Sequence, residues 1–473
     1  TFWIYASSYG GKILTFISTI ILARLLLKED FGVAGYALVV MNFLDVLSDL
    51  GVGHALIYHR DDPEAADTAF WIGQAIGVSL FALTWLSAPL AAAVFDDVRA
   101  VPVIRVLALT FPIVALSSTH DALLRRSLEF KNRFIPDLTK ATAKGLFSIV
   151  LALFGFGAWS LILGQLAGSA LGVIAFWWVL PWRPSLRFGR RLARALVSYG
   201  TSIVSVRIVS VVLLNADYVF VGRFLGAAAL GAYTMAFRIP ELVVMHFCNV
   251  IAFVIFPVYA RLREEEPEAL ARGFLATTRY VGMVTVPLAL GLALVAKPFV
   301  LTVFGEKWAE TIPVLRAISI YTLMLSLSYN AGDVYKAQGR PSLLTVVALV
   351  RAAILVPALW WAATGPGTLE AVGWTHAAVA LLSGTFEMLV AARMLHTPLR
   401  LVLHALRPAA AGAVLMAPVV WMTLSIVAAA PAAVQLFLSI AVGAVTYGSA
   451  LWWLQRDIVV GVGHTLRGVL ART

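Results

Sequence analysis

The chain has 473 residues, of which 61% are hydrophobic and only 13% charged, and it carries a formal net charge of +11. Soluble domains are roughly half apolar and about a quarter charged, so an aqueous globular protein is excluded. The composition requires a lipid solvent, in which each helix needs about 20 predominantly apolar residues.

Taken in chain order, fourteen apolar runs satisfy that length. They fall at roughly 2–27, 33–57, 69–95, 101–123, 135–155, 158–180, 196–221, 231–258, 274–296, 309–330, 342–363, 368–394, 408–430 and 432–455. The first is too long and continuous for a cleaved signal peptide, and because the chain opens at Thr1 rather than Met, further residues are expected to precede it. The single cysteine, Cys248, lies inside the eighth run, which excludes a disulfide and a cysteine metal cluster. His54, His246 and His376 have no second ligand at metal spacing, so no metal site is expected.

The basic charge could suggest nucleic acid, but its distribution argues otherwise. Loops after even-numbered runs and the C-terminal tail hold most of the loop Lys and Arg, while the opposite loops hold Arg24, Lys28, Arg99, Arg223, Lys297 and Lys307. This is the positive-inside asymmetry, which places both termini in the cytoplasm. The partners it implies are anionic lipid and the bilayer, with no nucleic acid.

A repeat divides the chain. "ILARLLLKEDFGVAGYA" (21–37) returns as "FVGRFLGAAALGAYTMA" (220–236), so that Arg24, Leu26, Gly32 and Ala37 match Arg223, Leu225, Gly231 and Ala236 at a constant offset of 199. "PVIR" at 102–105 likewise returns as "PVLR" at 313–316. Runs 1 and 7 cross in the same direction, so the expected fold is an all-α integral membrane protein with two parallel-repeat six-helix lobes around a central cavity. Runs 13 and 14 fall outside the repeat. The expected domains are residues 1–180, a cytoplasmic linker at 181–195 whose "PWRPSLRFGRRLARAL" stretch suits the headgroup layer, a second lobe at 196–394, and the last two helices with the tail at 395–473.

The repeat also sorts the polar residues. Residues present in both halves (Arg24 with Arg223, Gly32 with Gly231, Pro102 with Pro313, Arg105 with Arg316) are expected to build the fold, the arginines by capping carbonyls and the glycines by turning the chain. Charges present once need another reason, since each costs about 2.5 to 3.5 kcal/mol near the bilayer centre. Lys12 is near the middle of run 1; Asn42, Asp45 and Asp49 share one face of run 2; Arg207 is midway along run 7; Arg238 and Glu241 flank Pro240 in run 8; and Arg351 is mid-span in run 11. Glu387, Lys144 and Arg279 lie near cytoplasmic ends and are expected to snorkel. The bland alternative is that the mid-span charges pair with one another. The sharper one is a basic, hydrated cavity for an anionic ligand, with Lys12, Arg207, Arg238 and Arg351 binding it and Asp45, Asp49 and Glu241 available to take up a proton or sodium ion.

The segments "ILARLLLKEDFG", "LSDLGVGHALI", "TAFWIGQAIG", "RSLEFKNRF", "PWRPSLRF", "NADYVFVGRFLGAAALGAY" and "FGEKWAETIPVL" resemble, in order and spacing, the polysaccharide transporter family, of the colanic-acid and teichuronic-acid type. That family belongs to the multidrug/oligosaccharidyl-lipid/polysaccharide exporter superfamily. The resemblance implies a flippase of the bacterial inner membrane that moves undecaprenyl-diphosphate-linked oligosaccharide from the cytoplasmic to the periplasmic leaflet by alternating access, beside other polysaccharide-assembly membrane proteins. It further implies a cavity lined by helices 1, 2, 7 and 8, a cavity role for Arg24, and an acidic residue at Asp49 where relatives have glutamate. Near Lys12 the relatives have a polar amide instead. Rival readings are a lipid II flippase, a multidrug extruder, whose cationic cargo would favour acids over bases, and a membrane-embedded glycosyltransferase or polymerase using the "FDD" carboxylates at 95–97.

Overall fold

A computed structural model describes residues 2–48, 64–127, 129–265 and 267–455, and these are almost entirely helical. The chain divides into two compact units, Thr1–Thr234 and Met235–Thr473. Among the described residues eleven stretches are long and apolar enough to cross a membrane.

In the first unit the helices are α1 (Phe2–Leu25), α2 (Lys28–Ser48), α3 (Ala65–Phe95), α4 (Ala100–Ala108), α5 (Thr110–Arg126), α6 (Phe130–Leu153), α7 (Ala158–Val179) and the first part of α8 (Arg190–Pro240). The fourth apolar run is thus two helices. Pro112 has no N–H to offer the carbonyl of Ala108, and the chain makes a tighter turn there, with the Leu109 amide bonded to the Val106 carbonyl at 3.2 Å.

Close packing in this unit depends on small residues. Gly164, Gly168 and Gly172 recur every four residues along α7, and a β-carbon at Gly168 would lie 2.8 Å from the backbone carbonyl oxygen of Lys140 on α6. This spacing lets two membrane helices approach backbone to backbone where lipid offers no hydrophobic drive for association.

The duplicated corner has the same break in both copies but achieves it differently. After α1 the Leu27 amide donates to the Asp30 carboxylate at 2.9 Å, as in a capping box, and α2 begins. At the position equivalent to Leu27, 199 residues on, Gly226 interrupts α8 with φ 84°, a left-handed value that glycine adopts without strain. Gly32 and Gly231 have a different role from the turning expected of them. Neither has a positive φ; a β-carbon at Gly32 would collide with the backbone of Ala227, and one at Gly231 with the carbonyl of Lys28. Because Lys28 and Ala227 are themselves equivalent, α2 and α8 cross in a reciprocal contact that only two glycines permit.

Two of the four duplicated arginines cap carbonyls. Arg223 reaches the Ala93 carbonyl at 3.3 Å and Asp96 at 3.7 Å. Arg105 donates to the Trp85 carbonyl at 3.3 Å and stacks on that indole.

The stretch preceding α8 is extended and tied to the start of α3. Asp67, 7% exposed, accepts from the Ser185 amide at 2.8 Å and from its hydroxyl, while Trp71 donates to the Ser185 carbonyl at 2.8 Å. Leu186 and Phe188 remain exposed. Asp67→Ala is expected to leave the Ser185 donors unmet and to cost about 1–3 kcal/mol. Limited proteolysis should then cut after Arg183 or Arg187 far faster than in the wild type.

The second unit contains the end of α8, a π-helical turn at Glu241–Met245, then α9 (His246–Glu265), α10 (Pro267–Leu294), α11 (Ala296–Val303), α12 (Thr311–Ala337), α13 (Ser342–Thr364), α14 (Leu369–Met394), α15 (Leu399–Ile426) and α16 (Ala432–Leu454). Its core gathers Tyr259, Phe274, Tyr335 and Met388 from α9, α10, α12 and α14. The last two helices pack on α10, where the Tyr447 hydroxyl donates to the Met283 carbonyl at 2.8 Å and Gly412 makes room for the Tyr447 ring.

Candidate functional site

Two polar regions inside the apolar helices stand out, one in each unit. In the first, α2, α3, α4, α5, α6 and α7 enclose a cavity of about 570 Å³. The polar face of α2 expected from its sequence opens onto it, since Asn42, Asp45 and Ser48 all line the wall. Asn42 also donates to the Asn215 side chain at 3.0 Å, which ties α2 to α8. Asp45 accepts from the Ser48 hydroxyl at 2.9 Å and makes no ion pair among the described residues.

Across the cavity lies an ionic cluster that the sequence reading did not select. Asp121 on α5 bridges Arg125 at 2.6 Å and Arg133 on α6 at 2.5 Å, and Arg133 also approaches Asp137 at 3.9 Å. A signal was present, because Asp121 with Arg125 and Arg133 with Asp137 are two i,i+4 pairs on either side of a short helix–helix turn. Lys140, Gln165 and Ser169 complete the polar wall.

In the second unit, Pro240 acts as its chemistry requires. It removes one amide donor, and the helix widens so that the His246 amide bonds to the Glu241 carbonyl, an i→i+5 bond. Arg238 is half-buried before this turn and Glu241 is exposed within it. Arg351 on α13 donates to the Tyr321 hydroxyl at 3.1 Å and lies 5.8 Å from the centre of its ring. His376 packs against the same ring at 5.1 Å and against Phe237 at 5.6 Å, which makes it a buried aromatic neighbour and not a ligand.

Glu387 departs from the expected snorkelling. It is half-buried on α14 near Ser328 of α12 and within the field of Arg351, while its backbone carbonyl accepts from the Tyr335 hydroxyl at 2.6 Å. Periodicity could not have shown this, because its partners come from two other helices.

The remaining selected residues are dispersed. Lys12 and Arg24 are exposed on α1, the latter in its last turn, and neither lines the cavity. Asp49 and His54 lie outside the described residues, as does the side chain of Arg207, although its backbone is helical. Among the described residues no group of three His, Cys, Asp or Glu side chains could hold a metal ion.

The carboxylates at the end of α3, which a glycosyltransferase reading would need, are already engaged. Asp97 takes Arg99 in a two-point contact at 3.0 and 2.8 Å, and the guanidinium holds that carboxyl below its usual pKa. Asp96 adopts a left-handed conformation beyond the helix and faces Arg223.

Residues 21–313 match the profile of a family described as "Polysaccharide biosynthesis protein". The teichuronic acid biosynthesis protein TuaB of Bacillus subtilis (strain 168) is 29% identical over 349 residues, spanning 72% of this chain and 71% of TuaB. The lipopolysaccharide biosynthesis protein WzxC of Escherichia coli (strain K12) is 26% identical across 72% of this chain and 69% of its own length. For the succinoglycan biosynthesis transport protein ExoT of Rhizobium meliloti (strain 1021) the figures are 26%, 79% and 75%.

Among solved structures, the inward closed conformation of the lipid II flippase MurJ superposes with a TM-score of 0.79 over 97% of this chain and 100% of its own, at 13% identity. An inward-facing transporter of the multidrug resistance MATE family gives 0.69 over 81% and 94%, at 15% identity. At such identities the likeness shows the fold. The chain is a multi-pass membrane protein that shares the fold of these transporters.

Proposed function

The chain belongs to the polysaccharide biosynthesis protein family, and from that membership we propose that it is a flippase for undecaprenyl-diphosphate-linked oligosaccharide, moving it from the cytoplasmic to the periplasmic leaflet of a bacterial inner membrane. The observation that carries the reading is Arg351. It is a permanently charged guanidinium in an apolar helix, held on the Tyr321 hydroxyl and ring with Glu387 in its field, and a base kept at that cost supports an anionic ligand.

In this reading Lys12, Arg24, Arg207, Arg238 and Arg351 attract the diphosphate. Low dielectric makes each charge–charge interaction several-fold stronger than in water. The glycan occupies hydrated space and the polyprenyl tail stays in lipid. Asp45, Asp49 and Glu241 take up a proton or sodium ion that resets the two-lobed machine. An inside-negative potential also drives an anionic headgroup outward, by about 2.3 kcal/mol per charge per 100 mV. Both termini face the cytoplasm, and the protein works beside the membrane enzymes that load and consume the lipid-linked glycan. A drug extruder is disfavoured by the preponderance of bases among the unduplicated charges.

The test is leaflet-resolved translocation of a defined undecaprenyl-diphosphate-linked oligosaccharide by purified protein in proteoliposomes, with and without an imposed ion gradient. The wild type should translocate it. Replacing both Arg207 and Arg238 by alanine should slow translocation at least tenfold while insertion and thermal midpoint are retained. Normal flipping by that double variant would refute the assigned chemistry.

A further inference from the structure

We propose that the cavity inside the first unit is a carbohydrate-binding site, built for neutral sugar hydroxyls and not for the diphosphate. As a step in glycan transport it rests on the flippase reading above. As a binding site it stands by itself.

The charge of the wall selects the ligand class. Three carboxylates (Asp45, Asp121, Asp137) face three cations (Arg125, Arg133, Lys140), so the lining is formally neutral. A diphosphate would find no net attraction there, and neither would a drug cation. A sugar instead needs alternating donors and acceptors at short range, with apolar surfaces for its C–H faces. The cluster supplies the first through the Asp121 bridge to Arg125 and Arg133, which fixes these groups in place before any ligand arrives. Phe111 and Phe176 supply the second. The volume of about 570 Å³ falls in the range of roughly 300–1,000 Å³ typical of small-molecule sites.

One side chain points to a missing ligand. Ser169 on α7 is 3% exposed, lines the cavity, and its hydroxyl has no hydrogen-bond partner among the described residues. Leaving a buried polar group unmet is unfavourable, and native structures seldom do so without a reason. Lys140, on the facing helix, forms no ion pair among the described residues and has its stem laid against Gly172, where a larger residue would crowd it. The lysine ammonium is therefore available to a sugar, while the buried serine hydroxyl, with Gln165 one helical turn away on the same helix, is a hydrogen-bonding group that a sugar reaching the wall would satisfy.

The location suits loading from one side. The ionic wall lies where α2 and α5 end and α3 and α6 begin, the end of the unit that the positive-inside rule assigns to the cytoplasm. A glycan assembled on a cytoplasmic lipid would meet this cavity first.

The experiment uses the full-length protein in detergent, titrated by calorimetry with sucrose as neutral saccharide and, separately, with inorganic pyrophosphate. Saturable sucrose binding is expected, with pyrophosphate unable to displace it. Ser169→Ala removes a hydroxyl that no protein group uses, so the thermal midpoint should hold or rise while sucrose affinity falls about 5- to 10-fold, the value of one neutral hydrogen bond. Lys140→Met should weaken sucrose binding by a similar factor. Absence of saturable sucrose binding, an unaltered affinity in both variants, or displacement of sucrose by pyrophosphate would each overturn the proposal. Translocation of lipid-linked oligosaccharide by the wild type is measured in parallel. Sucrose binding without translocation sinks the flippase reading and spares the site; translocation without sucrose binding does the reverse.

Discussion

Alanine at Gly32 or Gly231 is expected to disrupt the first unit more severely than any other single methyl group added to it. At both positions the new β-carbon would fall inside the van der Waals shell of a backbone carbonyl on the crossing helix, at Ala227 and Lys28 respectively. A flexible side chain could swing away, but backbone can yield only if α2 and α8 separate. Overpacking of this kind costs about 1–3 kcal/mol where side chains can adjust, and more where they cannot. Either substitution should therefore lower the thermal midpoint in detergent by many degrees and reduce the yield of folded protein. Gly291 provides the control. It is also helical but has nothing within 4 Å of a β-carbon, so Gly291→Ala should leave the midpoint unchanged or raise it, since alanine is the better helix former by up to about 1 kcal/mol. If all three variants melt alike, the reciprocal crossing has been misread.

The second large effect concerns Asp121. Its carboxylate holds two guanidiniums, and its side chain is 23% exposed. Replacing it with alanine strands Arg125 and Arg133 on a cavity wall with only Asp137, at 3.9 Å, left nearby. Hydrogen bonds to charged groups are worth about 1.5–3 kcal/mol each, and leaving a partner unmet adds to the loss. Asp121→Ala should lower stability by about 2–4 kcal/mol, and Asp121→Asn, which keeps one acceptor, by less. Pairing Asp121→Ala with Arg133→Met separates the bridge from the rest of the wall. The double variant should recover part of the loss, because the stranded cation has gone. Strict additivity would mean that the two residues do not interact.

The hydropathy of the chain made the helices readable one by one. Among the described residues the apolar runs fall on helix, eleven stretches being long and apolar enough to cross a membrane, and the fourth run has an internal break at Pro112 that was equally readable in principle. The family resemblance rested on dispersed segments, and the match over residues 21–313 agrees with it. The duplicated corner was visible as text, yet its purpose was misassigned. A glycine that turns a chain and a glycine that admits a neighbouring helix look identical in one sequence, and only the φ of Gly226 and the contacts of Gly32 and Gly231 distinguish them.

Side-chain partnerships were the least readable feature. Asn42 and Asp45 were placed on one face of α2, and they do share a cavity wall. What lies across from them could not be read, because Asp121, Arg133, Lys140 and Ser169 come from three other helices. Glu387 looked like a terminal, snorkelling acid by its distance along the helix, but it is half-buried beside Ser328 and within the field of Arg351.

The residue order alone therefore determined the solvent of this protein, the extent of its helices, the duplication of its corner and the family to which it belongs, because each depends on dehydration cost or on local pattern along one chain. Which charges meet, which glycines separate backbones and where a polar cavity opens were decided only by tertiary structure, since each depends on atoms brought together from helices far apart in the sequence.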